Sequence, residues 1–392
     1  MVIGAGPAGA SAARLLADQG ARVVLFDARR LPRAKLCGGG LTPKAQQLAP
    51  PGALATVDRI VERTELRAPR LSPIRLQVPA ARVAMVERAR FDLALVEAAA
   101  AAGAEIRDGL AVTDVEEDAL GAWVATGRRR VRAEAVVLAD GEPSRLARRV
   151  GLGGDPRRLA LALEVDLPFS PALAQDVAVL EFAIPGGYAW YFPKGDHASV
   201  GIGSYRASRY DALRGALGHF ADGLDLDVAA GHIAGHWIPQ GLRRGPLASA
   251  RVVLAGDAAA TADPLFGEGI SYAMLSGVVA AQAIADWENR RIADLRVYDE
   301  RLRRVLGPAL GRLYWTARAV EGSLDLALLA VRHSRLVRDA AVDAIAGRGR
   351  AFATTRDCRL ACVCPLVKHP CSQCSGSGAS SSHCARAAAC AA

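Results

Sequence analysis

The stretch Val2-Ile3-Gly4-Ala5-Gly6-Pro7-Ala8-Gly9 decides the fold of this chain. Val2-Ile3 reads as the end of a buried strand. Pro7 near a helix start, the run Ala8 to Gln19 and Gly20 as terminator read as the helix that follows. Gly4 permits the tight turn between them, Gly6 lets the backbone approach a pyrophosphate at the helix N-terminus, and Gly9 lets helix and strand pack closely. Val23-Val24-Leu25-Phe26 is a second buried strand ending at Asp27, eighteen residues beyond Gly9 and placed to accept from a ribose hydroxyl. A glycine triplet alone is a weak signal; with strand, helix and acid in register it specifies a dinucleotide-binding β-α-β unit. The first strand is unusually short, so we expect a residue or more to precede Met1.

Outward from this unit, short alternating segments between Arg59 and Glu87, broken by Pro69, Pro73 and Pro79, read as strands and turns. Phe91 to Ala102 is helical by period, and Glu105-Ile106, Val112 to Val115, Trp123 to Thr126 and Ala135 to Leu138 read as strands. A second β-rich block, from Leu161–Leu167 through Val177–Phe182 and Tyr188–Phe192 to Ser199–Gly203, intervenes before Arg251-Val252-Val253-Leu254 resumes the first pattern. We therefore expect an α/β fold: a Rossmann-like nucleotide domain made of 1–150 and 245–300, with an antiparallel-sheet substrate domain of 151–244 inserted. Residues 58–87 fit either sheet, and 301–350 form a helical segment. The apolar run Gly269 to Ala285 is too short for a membrane span and reads as a buried helix.

Hydrophobic residues are 51% and charged residues 23% of 392, which excludes a disordered or collagen-like chain. The net charge is +9, but the basic residues are scattered and aromatics are 5%, so nucleic acid is not expected as a partner. A basic surface leaves peripheral membrane contact open, and nothing specifies a subunit number. One cysteine, Cys37, precedes residue 350, as in a reducing compartment, and no signal peptide is visible, so we expect a cytoplasmic location or the surface of a membrane. The other seven cysteines fall between Cys358 and Cys390 in a Ser/Gly/Ala-rich tail, 351–392, expected to be disordered. Its ligand spacing is irregular, so no metal site is expected.

The first fingerprint does not choose between NAD and FAD. A second signal, Val252-Val253-Leu254-Ala255-Gly256-Asp257 followed by Asp263-Pro264-Leu265-Phe266-Gly267-Glu268-Gly269 and a helix, favours FAD. Asp257 can bind a ribityl hydroxyl, and the positive helix end near Gly269 can face flavin N1 and C2=O. A third, Ala139-Asp140-Gly141 with Ser144, follows the strand ending at Leu138. Together with Lys35-Leu36-Cys37-Gly38-Gly39-Gly40 and Pro185-Gly186-Gly187-Tyr188-Ala189-Trp190-Tyr191-Phe192-Pro193, these motifs resemble the geranylgeranyl reductase family of FAD-dependent oxidoreductases, which share the fold of aromatic hydroxylases. The resemblance covers about residues 1–300. It implies that Ala8, Asp27, Cys37, Gly38, Gly40, Arg88, Val112, Asp257, Gly269 and Ile270 contact FAD, beside Gly4, Gly6, Gly9 and Gly267. Arg88 holds the pyrophosphate or merely pairs with Asp92; Asp27 stands where glutamate is common.

Tyr188, Trp190 and Phe192 alternate with period two, so a strand puts them on one face and Tyr191 on the other. Periodicity alone fits sheet core; the resemblance implies the wall of a prenyl cavity over the flavin. With Cys37 as a thiol beside the flavin, or else a small buried hydrophobe, these residues are the expected catalytic group. The expected activity is saturation of C=C bonds in a geranylgeranyl or other polyprenyl chain, a reaction of lipid and isoprenoid metabolism, with NADPH or ferredoxin as electron donor. No side chain stands out as proton donor. The alternatives are an FAD monooxygenase acting on an aromatic or polyketide substrate, and a flavin-binding protein without turnover.

Overall fold

The computed structural model describes residues 1–77, 82–118, 120–206 and 209–345; the cysteine-rich tail lies outside them. Short buried strands build a five-stranded sheet in the order Val252–Leu254, Val136–Leu138, Val2–Ile3, Val24–Phe26 and Glu105–Arg107. Every pairing in it is parallel. Such strands read as unbroken apolar runs because helices cover them, here Pro7–Asp18, Arg88–Ala101 and Ile270–Glu288. The last is buried along most of its length, as its all-round apolar sequence requires.

A seven-stranded sheet runs in the order Ala234–Arg243, Pro156–Leu167, Ala198–Ser204, Gly187–Pro193, Val177–Glu181, Arg63–Ala68 and Leu71–Gln77. Its pairings are antiparallel except Val177–Glu181 on Arg63–Ala68, which is parallel. The uncertain 58–87 region divides: 63–77 joins this sheet, while Val57–Val61 and Val83–Val86 pair in a three-stranded sheet with Gly40–Leu41. One face of the large sheet packs Leu163, Val165, Ala189 and Tyr191 against the helix Tyr210–Asp222, which alternation had not revealed. The opposite face meets the C-terminal helices Leu324–His333 and Arg335–Ile345.

Three elements differ from the sequence reading. The helix expected from Phe91 begins at Arg88, so Arg88 and Asp92 are one turn apart within it. The strand read over Val112–Val115 is Asp114–Asp118, and it flanks a hairpin whose last strand, Arg129–Ala133, has four exposed residues and no apolar alternation to announce it. Ala234–Arg243 is an edge strand whose free side meets the loop 260–262, with alternating exposure broken by Pro239.

Candidate functional site

A cavity of about 810 Å³ lies between the mouth of the parallel sheet and the large sheet. It gathers every site residue named from the sequence except Gly9. A Cβ on Gly9 would lie 1.9 Å from the Gly4 carbonyl oxygen, so this glycine locks turn to helix and leaves lining to its neighbours. Gly4 has φ +102° and would press a Cβ to within 2.2 Å of the Ala139 carbonyl oxygen. At Gly6 the same position is open, with only an Arg33 nitrogen at 3.7 Å, and the helix it starts has no side-chain cap. No side-chain cap therefore competes at the start of this helix, where Gly6, Pro7 and Ala8 line the cavity.

Asp27 is buried and already engaged: it accepts from the Ala5 N–H at 3.0 Å, the Arg29 N–H at 2.9 Å and Arg33 Nε at 2.9 Å. Arg33 also reaches Asp92 at 3.2 Å, and Arg88 grips Asp92 with two bonds of 2.8 and 3.0 Å. Burial would discharge Arg88, but the Asp92 carboxylate outweighs it and holds the guanidinium charged. Arg88 thus does pair with Asp92, and that bidentate bond fixes it on the cavity wall beside Cys37.

On the opposite side, Gly256 has φ +63°, its N–H donates to Ser276 Oγ at 2.8 Å, and a Cβ there would lie 2.9 Å from that of Ala8. Only glycine permits this crossing, which delivers Asp257 to the cavity. The helix Ile270–Glu288 presses Gly277 onto Ala8, where a Cβ would come within 2.1 Å of the Ala8 carbonyl oxygen. Buried Asp263 accepts from the N–H groups of Leu265, Phe266 and Glu268 at 2.8, 2.8 and 2.9 Å and so shapes the loop to Gly269. Burial pushes Asp263 up to about 6 even so. Lys35 lies 3.9 Å from Asp257 and hydrogen-bonds His236. Burial first, then the Lys35 charge, push His236 down to about 4, so its ring is neutral.

Tyr188, Trp190 and Phe192 share the cavity face, and Tyr191 is fully buried on the other. Trp190 and Phe192 are stacked at 6.3 Å, and Tyr188 tilts against Trp190 at 6.0 Å. Trp190 Nε1 donates to Ser199 Oγ at 3.3 Å. The Tyr188 hydroxyl donates to the Phe266 carbonyl, tying wall to loop. A Cβ on Gly38 would lie 2.5 Å from Phe192, so the Cys37 loop rests directly on the wall.

Sequence reasoning missed the groups that meet only through tertiary folding. Lys35 and His236 are 201 residues apart. Leu328 and Val331 pack on the aromatic wall and Ile345 reaches the cavity, although the last helices had been given no role. Glu164 lines the cavity from the strand Pro156–Leu167; strict alternation from Ala162 was the signal that could have placed it there. Among the described residues no His/Cys/Asp/Glu cluster could hold a metal, and no helix is long and apolar enough to cross a membrane.

Residues 1–184 match the family model of an FAD binding domain. The geranylgeranyl diphosphate reductase of Oryza sativa chloroplasts is 31% identical over 372 residues, covering 87% of this chain and 77% of that protein. The chain belongs to the geranylgeranyl reductase family of FAD-dependent oxidoreductases. A menaquinone reductase of Mycolicibacterium smegmatis is 32% identical over 308 residues, 72% of this chain and 75% of its own length. The crystal structure of a geranylgeranyl bacteriochlorophyll reductase-like protein from Thermoplasma acidophilum has a TM-score of 0.77 at 24% identity, covering 87% of this chain and 94% of that one. The cavity of this geranylgeranyl reductase family member fits FAD: the uncapped N-terminus of Pro7–Asp18 and the open Gly6 suit a pyrophosphate, and the start of Ile270–Glu288, where Glu268 holds the Ser271 N–H at 2.9 Å, leaves Gly269 and Ile270 on the cavity wall for a polar ring edge.

Proposed function

We propose that this protein saturates carbon-carbon double bonds of a polyprenyl chain, with FAD as resident cofactor. The observation that carries it is the placement of Tyr188, Trp190 and Phe192 along the same cavity as the FAD-binding motifs. A polyprenyl chain offers apolar area and almost no hydrogen bonds, and a row of rings with centroids 6.0 and 6.3 Å apart binds such area without demanding any. The relatives named for reducing geranylgeranyl diphosphate and menaquinone support the same class, both being compounds that carry or consist of a prenyl chain.

In this reading Gly6, Ala8 and Arg88 bind the pyrophosphate region, Asp27 a ribose hydroxyl, Asp257 the ribityl chain, and the N–H groups at Gly269 and Ile270 the polar edge of the ring. Bound FAD supplies a hydride to one alkene carbon. Cys37, Gly38 and Gly40, with Val112, Gly267 and Ile345, line the same cavity as the aromatic wall. Tyr188 keeps its proton, because burial raises its hydroxyl far above the usual phenol range and the Phe266 carbonyl accepts from it. Electrons enter from an external donor, NADPH or ferredoxin, since the sequence holds no second glycine fingerprint.

Mass spectrometry of quinones and lipids from cells with and without the protein tests this. Prenyl tails heavier by pairs of hydrogens only where the protein is present are expected. Identical tails together with a newly hydroxylated aromatic compound would replace the reductase with a monooxygenase.

A further inference from the structure

We propose that Glu164 is the proton donor of the reaction, delivering its carboxyl proton to the alkene carbon that does not receive hydride. The proposal rests on the reductase reading above and adds the acid that it lacks.

The geometry begins with sheet register. Glu164 stands opposite Gly201, and Gly201 stands opposite Trp190, so the three form one row across neighbouring strands on the cavity face. Gly201 carries no side chain between them; a Cβ there would lie 2.1 Å from the Trp190 ring. The indole therefore spans the gap toward Glu164, and acid and aromatic wall border the same space. Glu164 is 5% exposed yet lines the cavity, and among the described strand residues of the large sheet that do so it is the one carboxyl group. Ser199, the partner of Trp190 Nε1, also interacts with Glu164, which joins the acid to the ring through one hydroxyl.

Two further polar groups on this face are committed elsewhere. The Tyr188 hydroxyl donates to a backbone carbonyl, and His236 is paired with Lys35. Around Glu164 stand the Lys194 ammonium, the Ser199 hydroxyl and the Cys37 N–H, which favour its ionised form, and Asp166, which opposes it. Burial outweighs them and pushes Glu164 up to about 7, so a proton is held there near neutrality and can be released there. Lys194 faces outward to Glu87 at 3.4 Å, and Glu87 to His197 at 3.2 Å, so a line of ionisable groups leads from the buried acid toward the exposed Asp196.

In the step itself the O–H bond of Glu164 breaks and the π electrons form a C–H bond to its proton. The other carbon takes the hydride of the reduced flavin cofactor, and Glu164 is left as a carboxylate beside Lys194. The alkene is reduced by two electrons, and the carboxylate regains its proton from solvent.

The test compares wild type, E164Q and E164D, each loaded with FAD, reduced with dithionite under argon and mixed with geranylgeranyl diphosphate in detergent. We expect wild type to form saturated product with a rate that falls as pH rises through about 7. E164Q should slow by at least about 100-fold and lose that pH limb, and E164D should recover part of the rate. Infrared difference spectra of the flavin-free protein should show a protonated-carboxyl band near pH 6 in wild type that is missing in E164Q. E164Q turnover within threefold of wild type, or an unchanged pH limb, overturns the proposal alone. Wild type that reduces no prenyl acceptor overturns the reductase reading and the proposal with it.

Discussion

Replacing Gly201 by alanine is a sharp test of how the aromatic wall is built, because the neighbouring Gly203 supplies its own control. Both glycines lie on the cavity face of the strand Ala198–Ser204, one row apart. A Cβ at Gly201 would meet the Trp190 ring at 2.1 Å and the Leu163 carbonyl oxygen at 2.8 Å. Ordinary contact begins near 3.4 Å, so the indole must move by more than an ångström, which disturbs its bond to Ser199. Overpacking of this kind costs about 1 to 3 kcal/mol. At Gly203 the Cβ meets Ala162 and Trp190 at 3.6 Å each, a normal contact, so alanine there should be neutral or stabilise by about 0.5 to 1 kcal/mol through lost chain entropy. Urea unfolding of both variants gives the stability difference, and flavin absorbance gives the FAD content. We expect G201A to lose stability and most prenyl reduction while retaining FAD, since the fingerprint glycines are untouched, and G203A to keep all three. G201A and G203A with equal stability and equal turnover would refute the packing of Trp190 over Gly201.

Asp257→Ala should weaken FAD binding by about 10- to 150-fold, the worth of one charge-assisted hydrogen bond of 1.5 to 3 kcal/mol; wild-type affinity in an equilibrium titration would remove Asp257 from the site. His197 is raised to about 9, chiefly by its hydrogen bond to Glu87, so its contribution to stability is complete below pH 6.5 and lost as pH rises through 9. Partial exposure to solvent limits that contribution to on the order of 1 kcal/mol, and H197A should lack this loss between pH 6 and 9.5 in urea melts; an identical pH dependence in variant and wild type contradicts the assignment.

The cofactor half of the molecule was legible because its signals are local. Val2-Ile3 and Val252-Val253-Leu254 are buried on both faces and read as apolar runs, and the glycines after them are required by φ of +102° at Gly4 and +63° at Gly256. Tyr188, Trp190 and Phe192 were legible for the same reason, since a strand of period two leaves only one way to divide them from Tyr191. What failed was pairing. Arg129–Ala133 forms a strand by antiparallel pairing with Gly121–Thr126, over which Arg130 and Arg132 reach Glu116 and Asp118, an arrangement that no property of 129–133 itself announces. Glu164 reads as an ordinary polar position in an amphipathic strand until register sets it opposite Gly201 and Trp190. Likewise Leu328 and Val331 mark an apolar helix face, but only the fold shows that this face covers the aromatic wall.

The most direct test of the account is a single turnover without oxygen, in which protein carrying dithionite-reduced FAD is mixed with geranylgeranyl diphosphate and followed by flavin absorbance and product mass. We predict that the flavin reoxidises and that each equivalent oxidised adds one pair of hydrogens to the prenyl chain. A flavin that stays reduced with prenyl acceptors and reoxidises only when oxygen is admitted, leaving every double bond in place, would contradict it.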